Sequence, residues 1–337
     1  MIQIGNKKIN TNIFLAPLSA SSDLAFRLIA REQGAKFCFF EMIDSNSLVY
    51  GSPRSERILQ TCPEDQPIAA QILGADPEIM LKAAELILNR APITFLDINA
   101  ACPVRKVCKK GAGAYFLNNP APLVRVIERL SSTLSIPITV KMRVGLNQVD
   151  IPSAVQFAKS CESSGASALF VHGRSQSQEN VGPVNYEAIR AIKESVEIPV
   201  FGSGNILNPP LAKKMFDETR CDGILIAKGS FGNPSIYRDI ETYLATGTWH
   251  PAIELREKLK FLKKHLLLVQ QIKGPHAICH IGELAKICLW YLKGFSSSSR
   301  MRAQIFKSQN NQELLAQIES IMGDDLSGEI SPCAEKI

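Results

Sequence analysis

Eight short apolar runs divide the first 230 residues at nearly even spacing: 13–17, 37–40, 68–72, 95–99, 138–142, 168–172, 199–202 and 223–227. Each is followed by a loop and then by a stretch with helical periodicity. Residues 122–134 set Leu123, Val126, Ile127, Leu130 and Leu134 on one face. Residues 153–165 repeat the plan with Val155, Phe157, Ala158 and Cys161 before the stop at Gly165, and 189–196 and 211–216 supply later helices. Strands that alternate with helices, and that are apolar nearly throughout, predict an α/β fold, a (β/α)8 TIM barrel. Residues 2–11 read as a hairpin around Gly5-Asn6, placed to plug the bottom of such a barrel.

Near 245–252 the β pattern stops. Leu255, Leu259, Leu262, Leu266 and Val269 then form an amphipathic stripe, with Lys258, Lys263 and Lys264 off it. Further helices are predicted over 278–292 and 311–321, with a Ser-rich link at 296–299 and a frayed end at 326–337. The barrel is therefore followed by a small C-terminal all-α helical domain.

Charge sharpens that division. The chain carries a net charge of +6, yet residues 250–310 alone hold eleven Lys and Arg against three Asp and Glu. A basic module beside a near-neutral one points to a polyanionic partner. No apolar run approaches the ~18–20 residues that would span a bilayer, and the N-terminus has no secretory apolar core. The nine cysteines lack C-x-x-C spacing, which argues against a zinc site or a disulfide framework and fits a reducing, cytoplasmic location. No metal is expected.

Barrel enzymes do their chemistry at the C-terminal ends of their strands. Gln71, Asn99, Lys141 and His172 all stand there, Cys102 lies just beyond, and Arg174 follows His172 by two residues. A thiol at a barrel mouth is a nucleophile, a proton donor or packing. A lysine inside an apolar strand either faces the mouth or pairs with a carboxylate such as Asp97. Gly202-Ser203-Gly204-Asn205 follows the seventh strand and Ala227-Lys228-Gly229 the eighth. Glycine turns in those two loops suit a phosphorylated cofactor.

Taken in order, these motifs resemble the tRNA-dihydrouridine synthases, most closely the bacterial B-type branch, from Ile2 to about Leu292. The family pattern A-P-M-A-G-x-T-D reads Ala16-Pro17-Leu18-Ser19-Ala20-Ser21-Ser22-Asp23, and Q-I-x-G reads Gln71-Ile72-Leu73-Gly74. D-I-N-x-G-C-P reads Asp97 to Pro103, followed by Lys106 and Lys110-Gly111-Ala112-Gly113. K-x-R reads Lys141-Met142-Arg143, H-G-R-T reads His172-Gly173-Arg174-Ser175, and the tail matches at Lys286 and Trp290-Tyr291-Leu292-Lys293-Gly294.

The resemblance implies an FMN-binding catalytic barrel over 1–245 and a basic RNA-binding helical domain over 250–325. It implies FMN held by Pro17, Leu18, Ser19, Gln71, Lys141, His172, Ser203, Gly204, Asn205, Ala227 and Lys228, with NADPH as electron donor. Hydride would pass from flavin N5 to C6 of a uridine in tRNA, while Cys102 protonates C5; a free thiol, with a pKa of about 8.5, can donate at neutral pH. Lys141 would favour the reduced flavin, Asn99 would orient the base, and Lys286 would touch RNA. Arg174 would grip either flavin phosphate or substrate backbone. The chain departs from the family at Ser203 and Asn205 (usually Asn and Asp), Ala227 and Lys228 (Gly and Arg), Ala101 (Gly), Gln176 (Arg), and Ala285 and Ile287 (Arg and His). Two other functions compete: a small-molecule flavin oxidoreductase of the dihydroorotate dehydrogenase kind, and an RNA-binding paralogue with weakened catalysis.

Overall fold

A computed structural model describes residues 1–250, 254–273, 281–294, 298–308 and 311–324. The hairpin forms as β1 (Ile2–Ile4) and β2 (Lys7–Ile9), antiparallel about Gly5-Asn6. Eight parallel strands follow: β3 (Ile13–Leu15), β4 (Cys38–Asp44), β5 (Ile68–Leu73), β6 (Leu96–Ala100), β7 (Ile138–Arg143), β8 (Leu169–His172), β9 (Val200–Ser203) and β10 (Gly223–Ile226). Neighbours in sequence are neighbours in the sheet, β10 pairs with β3, and Leu15 N–H donates to Phe37 O at 3.0 Å to close the ring. The eight predicted runs thus become the eight staves of a TIM barrel.

Strand parity divides the core in two. Outward residues such as Leu96, Ile98, Val140 and Val171 pack under the surrounding helices. Inward residues at the bottom are largely aromatic: Phe14, Phe37, Phe39, Phe95, Phe170 and Phe201 cluster with Ile4 and Ile9 of the hairpin. Ring centroids there lie 4.4–6.1 Å apart. Each buried aromatic ring removes a large apolar area from water, so this plug is a rigid floor beneath the polar layers.

The predicted helices form with small shifts: α6 (Ala121–Thr133), α7 (Ile151–Ser163), α8 (Tyr186–Ser195) and α9 (Pro209–Thr219). The starts of α7, α8 and α9 are capped by the side chains of Asp150, Asn185 and Asn208. Past α10 (Ile236–Thr246) the described residues form α11 (Leu255–Lys273), α12 (Ile281–Leu292), α13 (Ser298–Ile305) and α14 (Asn311–Asp324). The whole leucine stripe of α11 is buried, against Leu284, Ile287, Cys288 and Tyr291 of α12 and against Ala25 of α1 (Leu24–Glu32). The predicted link at 296–299 is corrected in part: its last two residues open α13, because Ser is as acceptable in a first helical turn as in a loop. Residues 278–280 of the predicted second helix and the end over 326–337 lie outside the described residues. None of the described helices is long and apolar enough to cross a membrane.

Candidate active site

Register brings the polar inward residues into one set. Gln71 stands beside Asp97, Asp97 beside Thr139, Asn99 beside Lys141, Arg143 beside His172, and His172 beside Ser203. Period-2 alternation makes every one of them face the barrel axis, stacked above the aromatic floor.

The lower polar layer is a continuous hydrogen-bond chain. Gln71 Nε2 donates to Asp97 Oδ2 at 2.7 Å, Thr139 Oγ1 donates to Asp97 Oδ1 at 2.7 Å, and Asn99 Nδ2 donates to Gln71 Oε1 at 2.7 Å. Burial pushes the Asp97 carboxyl up to about 6, against the pull of the Gln71 and Thr139 bonds and the Lys141 ammonium. The chain continues upward, where Asn99 Oδ1 accepts the N–H groups of Ala101 at 3.0 Å and Cys102 at 2.8 Å. Arg143 holds the other end of the same turn, Nε donating to Ala101 O at 2.7 Å and Nη1 to Ser175 O and Glu179 O. Gly113, with φ +65°, packs beneath it; a Cβ there would lie 2.7 Å from Cys102 O. The thiol-bearing turn is therefore braced from three sides, with Cys102 half-buried at the mouth.

Lys141 answers the choice left open by the sequence. It makes no ion pair with Asp97, whose oxygens are taken by Gln71 and Thr139, and its ammonium lines the mouth cavity. Burial, reinforced by Arg143, brings it down to about 8, with Asp97 and Cys102 opposing. His172 is held well below its ordinary value by burial and by the cations Lys141, Arg143, Arg174 and Lys228, so the ring is neutral at pH 7.

A single cavity of about 310 Å³ collects these groups, at the small end of the range for ligand sites and open to solvent. One wall is Pro17, Leu18 and Ser19 from the loop after β3. The floor carries Gln71, Asn99, Lys141 and His172, with Cys102 at the lip. The wall beside the β3 loop, from the loops after β9 and β10, carries Ser203, Gly204, Asn205, Ala227 and Lys228. Asn205 adopts a left-handed backbone (φ +52°), which asparagine tolerates well, and its Oδ1 accepts from Arg174 Nη2 at 2.8 Å. Arg174 also donates to Gly182 O and is 4% exposed, so it ties the loop after β8 to the loop after β9. Gln176 donates to Pro103 O at 3.4 Å and to Cys108 Sγ at 3.2 Å, a further tie on the Cys102 segment.

Lys286 is the one sequence-derived site residue that does not line the cavity. Its Nζ donates to the carbonyl of Ala20 and sits 5.1 Å from the Trp290 ring centroid. Sequence reasoning missed Met42 and Asn180 on the cavity wall and assigned Arg143 no task. β4 runs past a register shift to Asp44, so Met42 reaches the rim; the signal was the apolar run resuming after Glu41. Asn180 lies in an irregular loop that carries no periodic signal.

The fold and the cavity together define a TIM-barrel protein whose chemistry-bearing side chains converge on the C-terminal rim. Solved structures share that fold: histamine dehydrogenase from Rhizobium sp. 4-9 (TM-score 0.55, 13% identity, 79% of this chain and 50% of that one) and an old yellow enzyme homologue from Zymomonas mobilis (TM-score 0.51, 14% identity, 75% and 93%). The profile of the dihydrouridine synthase (Dus) family matches residues 14–325. Among relatives, tRNA-dihydrouridine synthase B of Pseudomonas aeruginosa is 32% identical over 96% of both chains. A probable tRNA-dihydrouridine synthase of Treponema pallidum is 33% identical over 87% of this chain and 88% of its own. The chain belongs to the dihydrouridine synthase family.

Proposed function

We propose that this protein reduces uridines of tRNA to 5,6-dihydrouridine, with FMN in the rim cavity and NADPH as electron donor. The observation that carries this reading is the convergence, on one cavity, of the half-buried Cys102 thiol, the Lys141 ammonium and the turns after β9 and β10, in a chain of this family. The cavity suits FMN chemically. Pro17, Leu18 and Ser19 offer a flat wall to a ring system. Gln71, Lys141 and His172 supply polar groups to its heteroatom edge. Ser203, Gly204, Asn205, Ala227 and Lys228 suit a phosphate, with charge from Lys228 and close backbone approach at Gly204. When bound, FMN supplies the hydride for C6 of the uracil ring.

The chain's own residues do the rest. Cys102 gives its proton to C5 as general acid. Asn99 has both ends of its amide engaged, so it acts on the base through the Cys102 turn that it fastens. With the His172 ring neutral and the Arg143 guanidinium bonded to backbone carbonyls, the Lys141 ammonium favours a reduced, anionic ring edge. Arg174, tied to Asn205, belongs with the phosphate end rather than with RNA. The uridine must leave its stack to reach this depth. The basic charge of residues 250–310 supplies phosphate contacts that hold RNA without reading sequence.

The test is Cys102→Ala. The variant still bleaches its flavin with NADPH under anaerobic conditions, while its dihydrouridine yield in bulk tRNA, read by mass spectrometry, falls by roughly 10²–10⁴-fold. An unchanged yield removes the thiol from the reaction, and a protein that takes up no FMN removes the flavin.

A further inference from the structure

The pocket wall after β3 is held from two directions. Ala20, at the exposed tip of that loop, has a left-handed backbone with φ +54°, a conformation that costs about 1–2 kcal/mol for a residue with a Cβ. Such a conformation persists only where its surroundings enforce it. Here the Ala20 N–H donates to Glu41 Oε2 of β4, and the Ala20 carbonyl accepts from Lys286 Nζ of α12. Ser19 and Leu18, the next residues back along the loop, line the cavity.

The same helix reaches the adjacent wall, because β10 pairs with β3. The Lys286 ammonium lies over the Trp290 ring, and that ring stacks on Phe231 with centroids 4.4 Å apart and planes 3° off parallel. Phe231 ends the loop from β10 that brings Ala227, Lys228 and Gly229 to the cavity. About one turn of α12, from Lys286 to Trp290, therefore spans two walls of one pocket: one through a hydrogen bond to Ala20, the other through an aromatic stack.

We propose that Lys286 is a positioning residue of the flavin pocket, not an RNA contact: by holding the Ala20 carbonyl it fastens the basic helices to the cofactor wall and couples the two. This deepens the reading given above and rests on it. The ammonium saturates an exposed carbonyl at a strained tip, so its loss lets the tip relax and carries Leu18 and Ser19 with it. FMN affinity then depends on a side chain that never touches FMN.

The experiment compares wild type, Lys286→Met and Lys286→Arg in the full-length protein. FMN affinity is read by flavin fluorescence, and tRNA affinity as a function of salt by filter binding. FMN binding to the Met variant weakens at least fivefold, the Arg variant stays within twofold of wild type, and apoprotein melting temperatures of all three agree within a few degrees. The slope of log affinity for tRNA against log salt is the same for wild type and Met variant. Unchanged FMN affinity in the Met variant overturns the proposal. So does a slope shallower by about 0.9, the signature of one lost phosphate contact. Wild-type protein that binds no FMN overturns the flavin reading itself, and this inference with it.

Discussion

At the scale of the residue, Lys141 carries the sharpest expectation. Its identity was visible in the sequence as a cation in an otherwise apolar strand. Whether it paired with Asp97 or faced the mouth was not, because that depends on what else competes for the carboxylate. Gln71 and Thr139 win that competition, each at 2.7 Å. The ammonium, brought to about 8 by burial, loses its charge in mildly alkaline solution. On the proposed reading, FMN affinity falls as pH rises through about 8, by up to tenfold per unit, and Lys141→Met binds FMN weakly with no such dependence; fluorescence titration between pH 6.5 and 9.5 checks both. Apoprotein stability moves the other way. A lysine with a depressed folded value penalises the folded state while charged, so stability rises with pH between about 8 and the ordinary value of 10.5.

At the scale of elements, the eight strands were legible because each is a short, mostly apolar run, long enough to cross a barrel wall and too short for a helix. The helices α6 to α9 were legible from 3.6-residue spacing and their terminal Gly and Pro residues. The short helices α2 (Ser45–Val49), α3 (Pro53–Ile58) and α5 (Arg105–Cys108) were not. One or two turns hold too few residues to show a period. The join between α12 and the barrel was equally hidden, since it depends on a glycine whose partner lies nearly sixty residues away. Gly232 has φ +64°, and a Cβ on it would fall 2.0 Å from the Trp290 carbonyl oxygen. Gly232→Ala must push α12 off the loop after β10. The expected loss is roughly 2 kcal/mol or more, with the Phe231–Trp290 stack opened; thermal unfolding and a red shift of tryptophan emission measure it.

At the scale of the whole molecule, charge and position act together. The basic helices are not a separate appendage. α11 is tied to α1 by Lys264–Glu32 at 2.6 Å and to α14 by Lys263–Glu319 at 2.6 Å. These half-exposed pairs add little stability and cross-link α11 to α1 and α14. Two of the lysines that the sequence marks as a solvated basic face are thus partly spent on intramolecular contacts, while the local excess of positive charge remains. Affinity for tRNA should fall steeply with salt: with only four phosphates engaged, about a hundredfold between 50 and 200 mM. Filter binding across that range decides it, and a flat response would leave the helices without an electrostatic role.

The sequence by itself determined the barrel, the rim where its polar strand ends gather and most of the groups that line the cavity there. The alternation of apolar runs with helical stretches admits few folds, and in this one every strand ends at the same face. What only the tertiary structure decided was how those groups are partnered. Asn99 bonds the turn that carries Cys102, Arg174 binds Asn205, and Lys286 holds Ala20 rather than standing free. A hydrogen bond is set by distances between segments far apart in the chain, and a one-dimensional pattern names the donors without saying which acceptor each one meets.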